Sequence, residues 1–106
     1  MAGKYLRKNN YFIINKNFRC QKGEVDIIAK DLQTQEIVFV EVKTRTNLKY
    51  GTPREAVNKN KQKHIYKTAE YYLFCRQMMN NRARIDVIEV FIKKRSYKIN
   101  HLKQVI

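Results

Sequence analysis

The segments Gly23-Glu24-Val25-Asp26-Ile27-Ile28-Ala29 and Val38-Phe39-Val40-Glu41-Val42-Lys43 decide how this chain is read. Both are rich in Val, Ile or Phe. They predict strands over residues 24–30 and 36–43, joined by the short polar linker Asp31-Leu32-Gln33-Thr34-Gln35. Side chains alternate across a strand with period two. An antiparallel hairpin centred between Gln33 and Thr34 therefore sets Val25 against Val42, Ile27 against Val40 and Ala29 against Val38 on one apolar face. The other face sets Asp26 against Glu41, Glu24 against Lys43 and Ile28 against Phe39. A slip of one residue destroys this match, so the pattern specifies the register.

The register has a chemical consequence. Directly opposed residues have Cβ atoms about 4.5–5.5 Å apart, and two carboxylates at that distance repel. A hard divalent cation, Mg²⁺ or Mn²⁺, suits Asp26 and Glu41 as ligands and keeps positions for water and phosphate. Lys43 shares the face of Glu41, where an ammonium steadies a hydroxide nucleophile or the charge developing on phosphorus. The bland alternative is an edge-strand charge pair. An acid two residues before a lysine is a weak signal alone, and residue chemistry leaves both readings open.

Outward from the hairpin, residues 2–8 predict a short helix with Ala2, Tyr5 and Leu6 as apolar contacts, stopped by Asn9-Asn10. Residues 11–19 predict a strand led by Tyr11, Phe12, Ile13 and Ile14. Tyr50-Gly51 belongs to a loop, and Pro53 opens a helical region running to about Met79, with a break expected near Asn58. Ile65, Ala69, Tyr72 and Leu73 form its apolar face, while Lys59, Lys63, Lys67 and Glu70 fall elsewhere. Residues 84–92 and 96–102 predict two final strands around Lys94-Arg95. The order α-β-β-β-α-β-β predicts a single α/β domain over 1–106, with a mixed sheet flanked by helices.

Composition narrows the class. The 106 residues are 43% hydrophobic with three Gly and one Pro, which excludes wholesale disorder and collagen-like material. No apolar run suits a membrane span or a secretory signal, so a cytoplasmic protein without membrane association is expected. Cys20 and Cys75 make neither a disulfide framework nor a zinc set and are expected to be reduced thiols. His64 and His101 are expected to be ordinary surface residues.

The formal charge of +14 favours a polyanionic partner. Its distribution is more informative. Residues 1–22 and 42–67 are strongly basic, whereas 23–41 hold Glu24, Asp26, Asp31, Glu36 and Glu41 against Lys30 alone. The basic sequence thus surrounds an acidic hairpin, as expected of a nucleic-acid enzyme with a metal at its centre.

The two quoted segments, continued by Thr44-Arg45, Tyr50-Gly51-Thr52-Pro53, the helix containing Lys61-Gln62, and Arg84-Ile85-Asp86-Val87, resemble the YraN-like bacterial family. That family is placed in the PD-(D/E)xK, restriction-endonuclease-like superfamily. The resemblance spans nearly the whole chain. It implies an α-β-β-β-α-β core similar to archaeal Holliday-junction resolvases, a Mg²⁺-dependent nuclease and a homodimer. Asp26 and Glu41 match the metal-binding acids and Lys43 the catalytic lysine. The Val42 carbonyl is expected to add a further metal ligand, and Glu24 of the Gly-Glu-x-Asp signature is read as an auxiliary acid or a structural one. Gln62 and Tyr66 have the Gln-x-x-x-Tyr spacing of RecB-like members; the alternative is a solvent-facing Gln beside a core Tyr. Many members carry another Glu on the first helix, and this chain has no acid before Glu24. Asp86 is expected to be structural.

Two functions are expected on these grounds. One is a metal-dependent endonuclease hydrolysing DNA phosphodiesters, with branched, repair or recombination intermediates as candidate substrates. Arg45, Arg54, Lys61 and Lys63 are its candidate phosphate contacts. The other is a non-catalytic nucleic-acid-binding module on a degenerate nuclease fold, which binds in a salt-sensitive way and does not cut.

Overall fold

The structure, a computed structural model, describes residues 1–45 and 59–105. Its elements in chain order are α1 (Ala2–Lys8), β1 (Tyr11–Cys20), β2 (Gly23–Asp31), β3 (Ile37–Arg45), α2 (Lys59–Cys75), β4 (Ala83–Lys93) and β5 (Ser96–Leu102). The strands form one sheet in the order β1-β2-β3-β4-β5. Every neighbouring pair is antiparallel except β3 and β4, which are parallel. Parallel strands need a crossover, and α2 lies in it. This is the mixed α/β order expected from the sequence. Tyr50-Gly51-Thr52-Pro53, Arg54 and the predicted helix start lie outside the described residues.

The two sheet faces carry separate cores. Ile27, Ala29, Val38, Val40, Ile88 and Val90 pack with Ala2 and Leu6 of α1. Ile28, Ile37, Phe39, Ile85 and Val87 pack with Ile65, Ala69, Tyr72 and Leu73 of α2. The four predicted apolar positions of α2 are all buried, and Lys59, Lys63, Lys67 and Glu70 are exposed.

The hairpin register holds as far as Ile27. Lys30, Ala29, Ile28 and Ile27 pair with Ile37, Val38, Phe39 and Val40. Asp31 shapes the turn: one carboxylate oxygen accepts the N–H groups of Gln33 (2.9 Å) and Thr34 (3.3 Å). Beyond Ile27 the expectation needs correction. Val25 packs in the α2-side core rather than with Ile27 and Ala29, so alternation breaks at this point. Val25 and Glu24 pair with Phe18 and Arg19 of β1, not with Val42 and Lys43. β1 stays paired with β2 to its start at Gly23, on the other edge of the strand, while β3 stops pairing at Ile27.

Two local devices set the ends of elements. Gly23 has φ +146°, and a Cβ there would lie 2.8 Å from Thr68 Oγ1 of α2. Only glycine fits both the backbone conformation and the contact with the helix. Helix α2 stops at Cys75, short of the predicted Met79. Gln77 takes the left-handed conformation (φ +56°). Its N–H donates to the Phe74 carbonyl (3.1 Å), and the Met78 N–H donates to the Leu73 carbonyl (2.8 Å). This is the Schellman pattern, formed here without glycine, so it carries no strong sequence signal.

Candidate functional site

Where β2 leaves β3, the Asp26 carboxylate takes the place of the ladder. Its Oδ2 accepts the Val42 N–H at 2.7 Å. In a strand the N–H and C=O of one residue point to the same neighbour. Val42 therefore directs its carbonyl toward the β2 side as well.

Glu41 lies on the sheet face covered by α2, in phase with Ile37 and Phe39. It is only 6% exposed. Lys43 Nζ lies 3.8 Å from Glu41 Oε1, and Lys61 Nζ, from the first turns of α2, lies 3.5 Å from the same oxygen. Burial pushes the Glu41 carboxyl above its ordinary range and the Asp26 charge adds to this, while Lys61 and Lys43 partly offset both. Asp26, Glu41, Val42 and Lys43 are thus brought together, and Lys61 joins them across the crossover.

The parallel register of β3 and β4 adds residues that the sequence reading missed. It sets Lys43 beside Glu89. Glu89 is 3% exposed, accepts a hydrogen bond from Asn100 Nδ2 at 3.1 Å and faces Arg45 Nη2 at 3.7 Å. The available signal was an acid in phase with Ile85 and Val87 within an apolar strand. The Arg45 Nε is buried with no hydrogen-bond partner among the described residues.

Other expected residues are placed differently. Glu24 is exposed and pairs with Arg19 at 3.3 Å. Lys63 is exposed, and Gln62 is half-buried. Tyr66 is 52% exposed, which corrects the alternative of a core tyrosine. Arg54 falls outside the described residues.

The donor set is all oxygen: two carboxylates and a backbone carbonyl. Among the described residues no group of three or more His, Cys, Asp and Glu side chains is gathered for a metal ion. Magnesium is commonly held by one or two carboxylates together with water and substrate phosphate, so this donor set fits it.

A second polar cluster lies on the opposite face of the sheet, and its geometry is structural. Arg84 is 7% exposed. It donates to Asp86 (3.0 Å), Asp31 (2.9 Å), Glu36 (2.8 Å) and the Tyr11 hydroxyl (2.6 Å). Asp86 also accepts the Gln104 N–H at 2.9 Å, which bears out its structural reading. His101 is not a surface residue. Its Nε2 lies 2.7 Å from Asp86 and its Nδ1 lies 3.0 Å from the Tyr5 hydroxyl. A carboxylate only accepts, so Nε2 directs its N–H toward Asp86. Burial pushes the Tyr11 hydroxyl up to about 12, although Arg84 opposes this.

Comparison with known proteins places this geometry in a family. Residues 1–90 match the model of the uncharacterised protein family UPF0102. The UPF0102 protein of Caldicellulosiruptor saccharolyticus is 47% identical over 104 residues, covering 96% of this chain and 86% of that relative. The UPF0102 protein of Caldicellulosiruptor bescii is 49% identical over 106 residues, covering 97% and 87%. The one from Clostridium acetobutylicum is 52% identical over 88 residues, covering 83% and 70%. The chain belongs to the UPF0102 family, the YraN-like proteins. No helix among the described residues is long and apolar enough to cross a membrane.

Proposed function

We propose that this protein is a Mg²⁺- or Mn²⁺-dependent endonuclease of the restriction-endonuclease-like type, hydrolysing phosphodiester bonds in DNA. The carrying observation is the buried Glu41 carboxylate, next to Asp26 and approached on one oxygen by both Lys43 and Lys61. A carboxylate that burial and a like charge make costly to ionise gains from a cation held beside it.

Asp26, Glu41 and the Val42 carbonyl would hold the ion. When bound, it supplies Lewis-acid stabilisation and a water of lowered pKa. The remaining work falls to the chain itself. The Val42 N–H fixes the Asp26 carboxylate through Oδ2. Lys43 orients the attacking water and donates to the charge developing on phosphorus. Arg45 and Lys63 take backbone phosphates, with Arg45 held by Glu89 and its Nε without a hydrogen-bond partner among the described residues. Hydrolysis forms one phosphorus–oxygen bond from water and breaks one ester bond, releasing a hydroxyl and a phosphate monoester. A homodimer suits symmetric cutting of two strands.

One observation favours the non-catalytic module instead: two lysines already supply positive charge to Glu41. The test is incubation of branched, single-stranded and duplex DNA with Mg²⁺ or Mn²⁺, alongside Glu41→Gln and Lys43→Ala. The endonuclease reading expects cleavage that both substitutions abolish. Salt-sensitive binding with no cleavage under any metal assigns the module.

A further inference from the structure

The outer face of α2 has aromatic chemistry that the candidate metal site does not use. Tyr66, Tyr71 and Phe74 are 52%, 43% and 69% exposed. Helical spacing puts them on one arc with Lys63, Lys67 and Glu70, so rings and two ammonium groups share about 16 Å of one face. Past the helix end, Met79 is 56% exposed. Lys22, Lys67, Tyr71, Phe74 and Met79, with Glu70, line an open groove of about 430 Å³.

Three rings of this one helix are thus left facing solvent. A protein-docking face is expected to be depleted of charged residues at its centre, whereas here Lys67 and Glu70 lie among the rings. A second copy of this chain would bring the same lysines and the same +14 to the contact, so charge opposes self-association through it. Duplex DNA satisfies the lysines but keeps its bases stacked and hidden. A single strand presents both phosphates and free base faces, which is what cations and rings on one face recognise.

We propose that the outer face of α2 is a stacking track for single-stranded nucleic acid, with bases on Tyr71 and Phe74 and phosphates on Lys63 and Lys67. This rests on the nucleic-acid reading above and names its substrate class: DNA with an unpaired arm or gap. The same helix offers Lys61 to Glu41 on its sheet side, so one rigid element serves both the track and the candidate metal site.

The test is fluorescence anisotropy of the full chain, in EDTA, with a labelled oligothymidylate and with a labelled duplex of equal length. The track expects preferential single-strand binding. Phe74→Leu and Tyr71→Ala each weaken it by about tenfold, while Phe74→Trp retains it. Lys67→Gln flattens the salt dependence. These residues are exposed, so circular dichroism is expected to match the parent chain. Equal affinity for single strand and duplex, or single-strand affinity unchanged in Phe74→Leu, overturns the inference. So does a dimer in sedimentation that Phe74→Leu dissociates while DNA binding persists, which would make the face a contact between copies. Binding is read without metal. Single-strand binding with no cleavage in Mg²⁺ therefore defeats the endonuclease alone, and cleavage indifferent to Tyr71 and Phe74 defeats the track alone.

Discussion

The Asp26 carboxylate accepts the Val42 N–H at 2.7 Å where β2 and β3 cease to pair. A side chain thus completes the hydrogen bonding of a strand whose backbone neighbour has turned away. The same contact fixes one of the two acids of the candidate metal site and aims the Val42 carbonyl. Asp26→Asn keeps an oxygen acceptor and removes the charge. Urea denaturation is expected to show little change in stability, whereas the cleavage rate in Mg²⁺ falls by at least about a hundredfold. Asp26→Ala also strands the amide and is expected to cost about 1–2 kcal/mol.

Glu41 is expected to show the opposite relation between stability and function. Its folded pKa is raised above the ordinary 4.5, first by burial and then by Asp26. The folded state therefore holds this proton more tightly than the unfolded chain does. The associated stability is fully present below the ordinary carboxyl value and is lost as pH rises through the folded value. Glu41→Gln escapes that loss. Metal-free Glu41→Gln is expected to gain about 1 kcal/mol on the parent at pH 7, and the gap closes as pH falls through the raised folded value toward 4.5. Adding Mg²⁺ is expected to stabilise the parent and leave Glu41→Gln unchanged. Urea titrations at several pH values check all three outcomes.

Arg84 ties the β2–β3 turn to β4 through Asp31, Glu36 and Asp86. Replacing it leaves buried carboxylates without their counter-charge. Arg84→Met is expected to destabilise by about 3–5 kcal/mol, measured by urea denaturation at pH 7. Arg84→Lys rescues little, because one ammonium cannot reproduce the forked contacts of a guanidinium.

The same cluster governs acid unfolding. Burial pushes Asp86 up, but hydrogen bonds from His101, Arg84 and the Gln104 N–H outweigh it and hold its carboxyl below 3.8. Asp31 behaves alike, with Arg84 and the Gln33 and Thr34 amides outweighing burial. Contacts from Thr34 and then Arg84 lower Glu36. These depressed groups contribute stability that is present above the ordinary values of 3.8–4.5 and is lost as pH falls through the folded values. The parent chain is expected to unfold steeply below about pH 4, with a shallower acid limb in Arg84→Met, as circular dichroism against pH would record.

Gly23→Ala places a Cβ 2.8 Å from Thr68 Oγ1 at a backbone φ of +146°. Thr68 is fully buried, and its hydroxyl already donates to the His64 carbonyl at 2.7 Å, so it has little room to yield. A loss of about 1–3 kcal/mol is expected, read from the urea midpoint. Thr68→Ala combined with Gly23→Ala is expected to recover the contact but not the backbone strain.

Much of this protein is decided along the chain itself. Period-two alternation placed β2 and β3 and their shared register, because one slipped residue would expose an apolar face. The spacing of Ile65, Ala69, Tyr72 and Leu73 identified the buried side of α2, and the YraN-like motifs matched the family. The tertiary structure decided what depends on residues far apart in sequence. The end of β2–β3 pairing at Ile27 and the packing of Val25 against the α2-side core took Val25 and Glu24 out of the predicted hairpin. The crossover brought Lys61 to Glu41, and the parallel register brought Glu89 beside Lys43. Burial of Arg84 made His101 and Asp86 internal partners rather than separate charges. Alternation reports which side of a strand a residue occupies. It does not report which neighbouring element covers that side, and this is what sets the desolvation and pairing of a charge.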